Sequence, residues 1–280
     1  MKVSRLANLI LIYLLMWGIA ELVPDLIFGD ASSASALMFT VFVPVQEQGG
    51  HIYLLNLHFS TLFEFLIPVI FAPIMVWLIF KEIKKEKSEI EEKSKYSNFF
   101  NTLFYISIFT MVVGLGIHYV GDAIDTQLQW SPEDIDGTIT TFPKLIAYFF
   151  DEILGHKILY AGMMLILVCL YIFQYWHPLD LEKKETNYLN TTLLFIYGLI
   201  YGIALAFSFM EGQSAFEYLF ICLILLVSTL IQVLRIKEKF TIKIKKYPYS
   251  IFFIAINAGV ILVLLLYVPQ IGNSYPFFPQ

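Results

Sequence analysis

The sequence predicts an all-α polytopic membrane protein, a bundle of about seven transmembrane helices with its amino terminus inside and its carboxyl terminus outside. Three observations predict it: the composition, the number of long apolar windows and the placing of the basic residues. Of the 280 residues, 58% are hydrophobic and 15% charged, and the mean hydropathy is +0.72. A soluble domain has roughly 45–50% apolar and about 25% charged residues. Lipid is therefore the main solvent, and nucleic acid is not an expected partner.

Crossing about 30 Å of hydrocarbon takes roughly 20 apolar residues in a helix. Windows at 6–28, 53–80, 98–121, 143–172, 188–210, 214–235 and 249–271 meet that length, and together they nearly use up residues 1–280 as one transmembrane domain. Lys2 and Arg5 before an apolar run, with small residues at 31–36, resemble a secretory signal. The run continues past Glu21 to Phe28, which favours an uncleaved first helix.

Lys and Arg gather in segments 1–5, 81–97, 177–187 and 235–247, which alternate correctly for seven spans. By the positive-inside rule these are cytoplasmic. The loops around 29–52, 121–142 and 211–213 are acidic or neutral, and Tyr275 to Pro279 supplies aromatic rings for an outer interface. Residues 81–97 carry opposite charges three and four apart, the pattern of a solvated extension of the second helix. Residues 36–45 are apolar but too short to span, which suggests a re-entrant or interfacial piece before Gly49-Gly50 turns the chain. Ser131-Pro132-Glu133-Asp134 has the signals of a short helix start. Gly198 and Gly202 have the small-xxx-small spacing of close helix packing. Cys169 and Cys222, inside apolar windows, read as small buried hydrophobes.

Ionisable residues at bilayer depth cost something like 2.5–3.5 kcal/mol and so tend to mark interior sites. Here they are Glu21 and Asp25, His58 and Glu64, His118 and Asp122, then Asp151, Glu152, His156 and Lys157, and Glu211. All fall in the outer half of their windows. Residues four apart share a helical face, which pairs His118 with Asp122 and Glu152 with His156. Tyr197, Tyr201, Ser208 and Glu211 fall on one stripe. His51 and His177 read as solvated. Lys157 is the one cation well inside a window, so the carboxylates need protons or a metal cation. Three imidazoles with carboxylates match the donor sets of catalytic zinc, and less closely those of non-haem iron. His118, His156 and His58 are the expected ligands of a divalent metal, zinc before iron, with Asp122 and Glu152 as acid–base groups.

Seven spans with His, Asp and Ser near one face are similar to the superfamily of alkaline ceramidases and progestin and adipoQ receptors, which are intramembrane zinc hydrolases. That superfamily carries a His-x-x-x-His pair in its last helix, whereas residues 249–271 contain no histidine. The resemblance therefore covers architecture and not the metal motif. The same window has no lysine for a retinal Schiff base. The leading functional expectation is a metal-dependent hydrolase in the cytoplasmic membrane of a prokaryote, acting on a lipid or other amphipathic substrate. An ion or proton transporter using the same cluster is the first alternative, although the cytoplasmic half offers no continuing polar path. A non-catalytic membrane subunit is the second.

Overall fold

The structure, a computed structural model, describes residues 4–28, 38–44, 52–85, 91–92, 94–129, 146–179, 188–236 and 246–271. Among them are seven long helices: α1 (Arg5–Phe28), α2 (Phe59–Ile83), α3 (Ser97–Gln129), α4 (Ile146–Trp176), α5 (Tyr188–Glu211), α6 (Ala215–Arg235) and α7 (Pro248–Ile271). Six of them, α2 to α7, are long and apolar enough to cross a membrane, and α1 adds a shorter apolar stretch, Arg5–Ala20. The helical membrane bundle read from the sequence is thus the architecture, and the protein is an integral membrane protein.

Local chemistry accounts for several of the helix limits. Pro248 opens α7 at the position where a missing amide N–H is harmless. The α5–α6 turn is closed by Ser214 N donating to Phe209 O and Gln213 N donating to Met210 O, with Gln213 left-handed at φ 51°. That is a Schellman closure with glutamine where glycine is usual.

Two expectations are corrected. The window 53–80 does not begin as helix: Ile52–His58 is strand β2, paired antiparallel with strand β1, Met38–Pro44, in a register running from Met38 opposite His58 to Pro44 opposite Ile52. Within the stretch expected to be re-entrant or interfacial, Met38–Pro44 is this extended strand. The first run is rich in β-branched and aromatic residues, the second contributes Ile52 and Tyr53, and the two flank Gly49-Gly50 and pair with each other. Residues 81–97 are not a continuous helical extension either. Helix α2 stops at Ile83, residues 84–85 turn, and Glu91 hydrogen-bonds Lys84 before α3 begins at Ser97. Segments 131–134 and 275–279, together with His51, lie outside the described residues.

The chain forms two compact units. One comprises Met1–Leu14, Ile74–Met111 and Tyr160–Gln280, the other Leu15–Pro73 and Val112–Leu159. In the first, α5 and α7 pack backbone to backbone through glycine. A Cβ at Gly198 would lie 2.5 Å from Phe252 O, and one at Gly202 would lie 2.2 Å from Ile256 O. The small-residue spacing on α5 thus serves packing. The interior of this unit is not wholly apolar: Tyr13 and Tyr201 pair through their hydroxyls at 3.1 Å, and Tyr249 and Asn257 are buried. Cys169 and Cys222 are buried free thiols.

Candidate functional site

The second unit carries the ionisable cluster. Near the end of its span, α3 presents His118, and near its start α4 presents Asp151, Glu152 and His156. The first turns of α4 are not ordinary helix. Phe149–Gly155 is a π-helical stretch, and Asp151, Glu152 and Gly155 are its buried residues. Both adjacent acids, Asp151 and Glu152, are buried within this π turn. Such turns are rare and occur frequently at functional sites.

Two glycines bring the backbones of α3 and α4 together here. A Cβ at Gly121 would stand 2.6 Å from Asp151 N, and a Cβ at Gly155 would stand 2.6 Å from His118 N. Across this approach His118 Nδ1 lies 2.5 Å from Asp151 Oδ1. The contact is an ion-pair approach that is not aligned as a hydrogen bond, and neither buried atom has another hydrogen-bond partner. His156 Nδ1 lies 3.5 Å from Glu152 Oε2 and 3.2 Å from the Glu152 carbonyl oxygen. The imidazoles of His118 and His156 stack with ring centres 4.2 Å apart and planes tilted by 35°. Asp122 and Glu152 lie within electrostatic reach of His118.

Of the residues expected from sequence, His118, Glu152 and His156 come together. The direct partner of His118 is Asp151 from the facing helix, where the four-residue spacing had pointed to Asp122. His58 is not part of a helix; it ends β2, and its side chain lies outside the described residues, as do those of Glu21, Asp25 and Glu64. Glu211 is exposed at the end of α5, whereas Tyr201 on the same stripe is buried.

The donors were tested against a metal ion. Two imidazole nitrogens bound about 2.05 Å from one tetrahedral zinc hold their ring centres roughly 5 Å apart, wider than the 4.2 Å found. Among the described residues no group of three His, Cys, Asp or Glu is placed to hold a metal. The described donors do not fit a shared tetrahedral ion, and no chemistry is derived through one.

A second polar cluster, in the first unit, was missed in the sequence. His177 is not solvated but buried, with Nε2 2.6 Å from Glu91 Oε2. The other oxygen of Glu91 accepts from Lys84 Nζ at 2.6 Å and Ser97 Oγ at 3.0 Å. Lys84 also donates to Asn101 Oδ1 at 3.1 Å and lies over the rings of Phe80 and Phe173. Burial pushes the Glu91 carboxyl up, but the hydrogen bonds from Lys84, Ser97 and His177 and the charge of Lys84 outweigh it and hold it below its ordinary value. Only the wide sequence separation of Glu91 and His177 hid this pair.

Fold and site define a class: an integral membrane protein with an imidazole–carboxylate centre inside its spans. Comparison with known protein families, with curated proteins and with solved structures finds no match.

Proposed function

We propose that the chain is an ion or proton transporter of a prokaryotic cytoplasmic membrane, with His118, Asp151, Glu152 and His156 as its proton-binding centre. The observation that carries this reading is the 2.5 Å approach of His118 to Asp151 within a membrane span, beside Glu152 and His156. A carboxylate at that depth is strongly disfavoured unless it is paired or protonated. Pairing each acid with an imidazole lets the centre gain or lose a proton without stranding a lone charge. Asp151 Oδ1 faces His118 Nδ1 at 2.5 Å, and Glu152 Oε2 is buried without a hydrogen bond, which leaves Glu152 an acceptor position for that proton.

Reconstitution in liposomes containing a pH-sensitive dye tests the proposal. An imposed pH gradient should drive proton flux that falls at least about tenfold in His118→Ala and in Asp151→Asn, as expected for loss of a charge-assisted contact. Absence of flux in the unsubstituted chain, or full flux in the double variant, refutes it. A metal-dependent hydrolase acting on membrane lipid is the competing reading, and it requires a third donor beyond the two stacked imidazoles. Stoichiometric zinc or iron in purified protein, lost in a His118→Ala, His156→Ala variant, would favour it instead.

A further inference from the structure

We infer that Gly121 and Gly155 are the positioning residues of the centre: by lacking a Cβ they set the backbone distance at which His118 meets Asp151. The inference rests on the proton-binding reading for its functional consequence, but its geometry stands alone. The two contacts are reciprocal. Gly155, the last residue of the π turn, lies against His118, with an added Cβ 2.6 Å from its N and 2.7 Å from its Cα. Gly121, three residues after His118, lies against Asp151, with an added Cβ 2.6 Å from its N and 2.7 Å from its Cα. Each glycine on one helix therefore seats the reacting residue of the other.

The obstructing atoms are backbone, so no side chain can swing aside. Gly116 on the same helix has nothing within 4 Å of an added Cβ, whereas Gly114 meets Leu159 N at 2.2 Å, so close glycine contacts recur along α3 and α4 and those at Gly121 and Gly155 are the ones that fall on His118 and Asp151. Ordinary van der Waals contact begins at 3.4 Å. A methyl group at either position must therefore part the backbones by the difference from 2.6 Å, about 0.8 Å. Carried to the side chains, that takes the 2.5 Å contact out beyond the roughly 2.7–2.9 Å of a charge-assisted hydrogen bond. The buried carboxylates give the close approach a purpose that packing alone does not supply, since Asp151 is 5% and Glu152 6% exposed and each has an oxygen without a hydrogen bond.

The test uses the full chain in liposomes, labelled with 15N-histidine and 13C-aspartate. Solid-state NMR should show a dipolar coupling between His118 and the Asp151 carboxyl, assigned by its loss in Asp151→Asn. Gly121→Ala and Gly155→Ala should each cut that coupling by half or more and lower proton flux at least about tenfold, while Gly116→Ala leaves both unchanged. The decisive variant is Gly121→Ala with Asp151→Glu. One further C–C bond, about 1.5 Å, spans the added separation, so flux should return, a rescue that a purely packing role would not give. Intact coupling in both alanine variants overturns the inference, as does a folded double variant with no recovery. Absence of the coupling in the unsubstituted chain overturns it even if the alanine variants fail to fold. Coupling lost with flux unchanged upholds the positioning role and overturns the proton-binding reading.

Discussion

Replacing Glu91 with alanine tests how the turn between α2 and α3 is held. In one step the substitution removes the acceptor for Lys84 Nζ at 2.6 Å, for Ser97 Oγ at 3.0 Å and for His177 Nε2 at 2.6 Å. The His177 side chain is 4% exposed and has little access to water, whereas Lys84 at 25% can recover some hydration. Charge-assisted hydrogen bonds contribute about 1.5–3 kcal/mol each and do not add in a shared network. The expected loss is therefore about 2–3 kcal/mol. In thermal unfolding of detergent-purified protein near neutral pH this corresponds to a midpoint lower by on the order of 5–10 °C. The pH dependence sharpens the test. The Glu91 carboxyl is held below its unfolded value of 4.5, so its stabilisation is fully present above that pH and is lost as pH falls through the lower, folded value. The gap between wild type and Glu91→Ala should narrow in acid. A gap that stays constant with pH, or one within about 0.5 kcal/mol of zero as for an ordinary surface change, refutes the account.

Gly202→Ala forces a Cβ to 2.2 Å from Ile256 O and should destabilise the α5–α7 pair by about 1–3 kcal/mol, read as a lower unfolding midpoint. Gly116→Ala meets open space and should be neutral or stabilising by about 0.5–1 kcal/mol in the same assay, because alanine favours helix. Tyr249→Phe removes a buried hydroxyl that has no hydrogen-bond partner, and the midpoint should hold or rise. Tyr13→Phe leaves the Tyr201 hydroxyl without its 3.1 Å partner and should cost about 1–2 kcal/mol, while adding Tyr201→Phe recovers part of the loss.

Much of this was legible in the chain because lipid imposes a one-dimensional rule. A helix must run the thickness of the hydrocarbon, so window length alone located α4 to α7 to within about four residues, and the start of α3, which runs eight residues past its window to Gln129. The same rule failed at 53–58, where apolar residues of high β-propensity pair with 38–44 instead of continuing a span. The site was half legible. A four-residue spacing found Glu152 with His156, because that pair lies on one helix. It paired His118 with Asp122, which lies within electrostatic reach, but could not show Asp151 at 2.5 Å, because that acid comes from a facing helix. Nor does periodicity at 3.6 residues foresee the π turn in which two consecutive acids, Asp151 and Glu152, are buried. Glu91 and His177, 86 residues apart, lie beyond any local pattern.

The two clusters use the same residue types, and the difference between them argues their roles. Glu91 has both oxygens engaged, by a lysine, a hydroxyl and an imidazole, and all of these donors sit at the ends of helices. A carboxylate so satisfied is rigid and hard to protonate, which suits a structural tie. Asp151 and Glu152 are more deeply buried, yet Asp151 Oδ1 and Glu152 Oε2 have no aligned hydrogen bond, and the imidazoles beside them lie against each other with ring centres 4.2 Å apart. Partly satisfied polar groups in a low-dielectric interior are unfavourable to stability. A fold that needed only to join α3 to α4 could do so with the glycine contacts already present and apolar side chains around them. That α4 also adopts a π turn and buries two acids within it fits the proposed reading, in which the centre takes up a proton at an acceptor left open on Glu152.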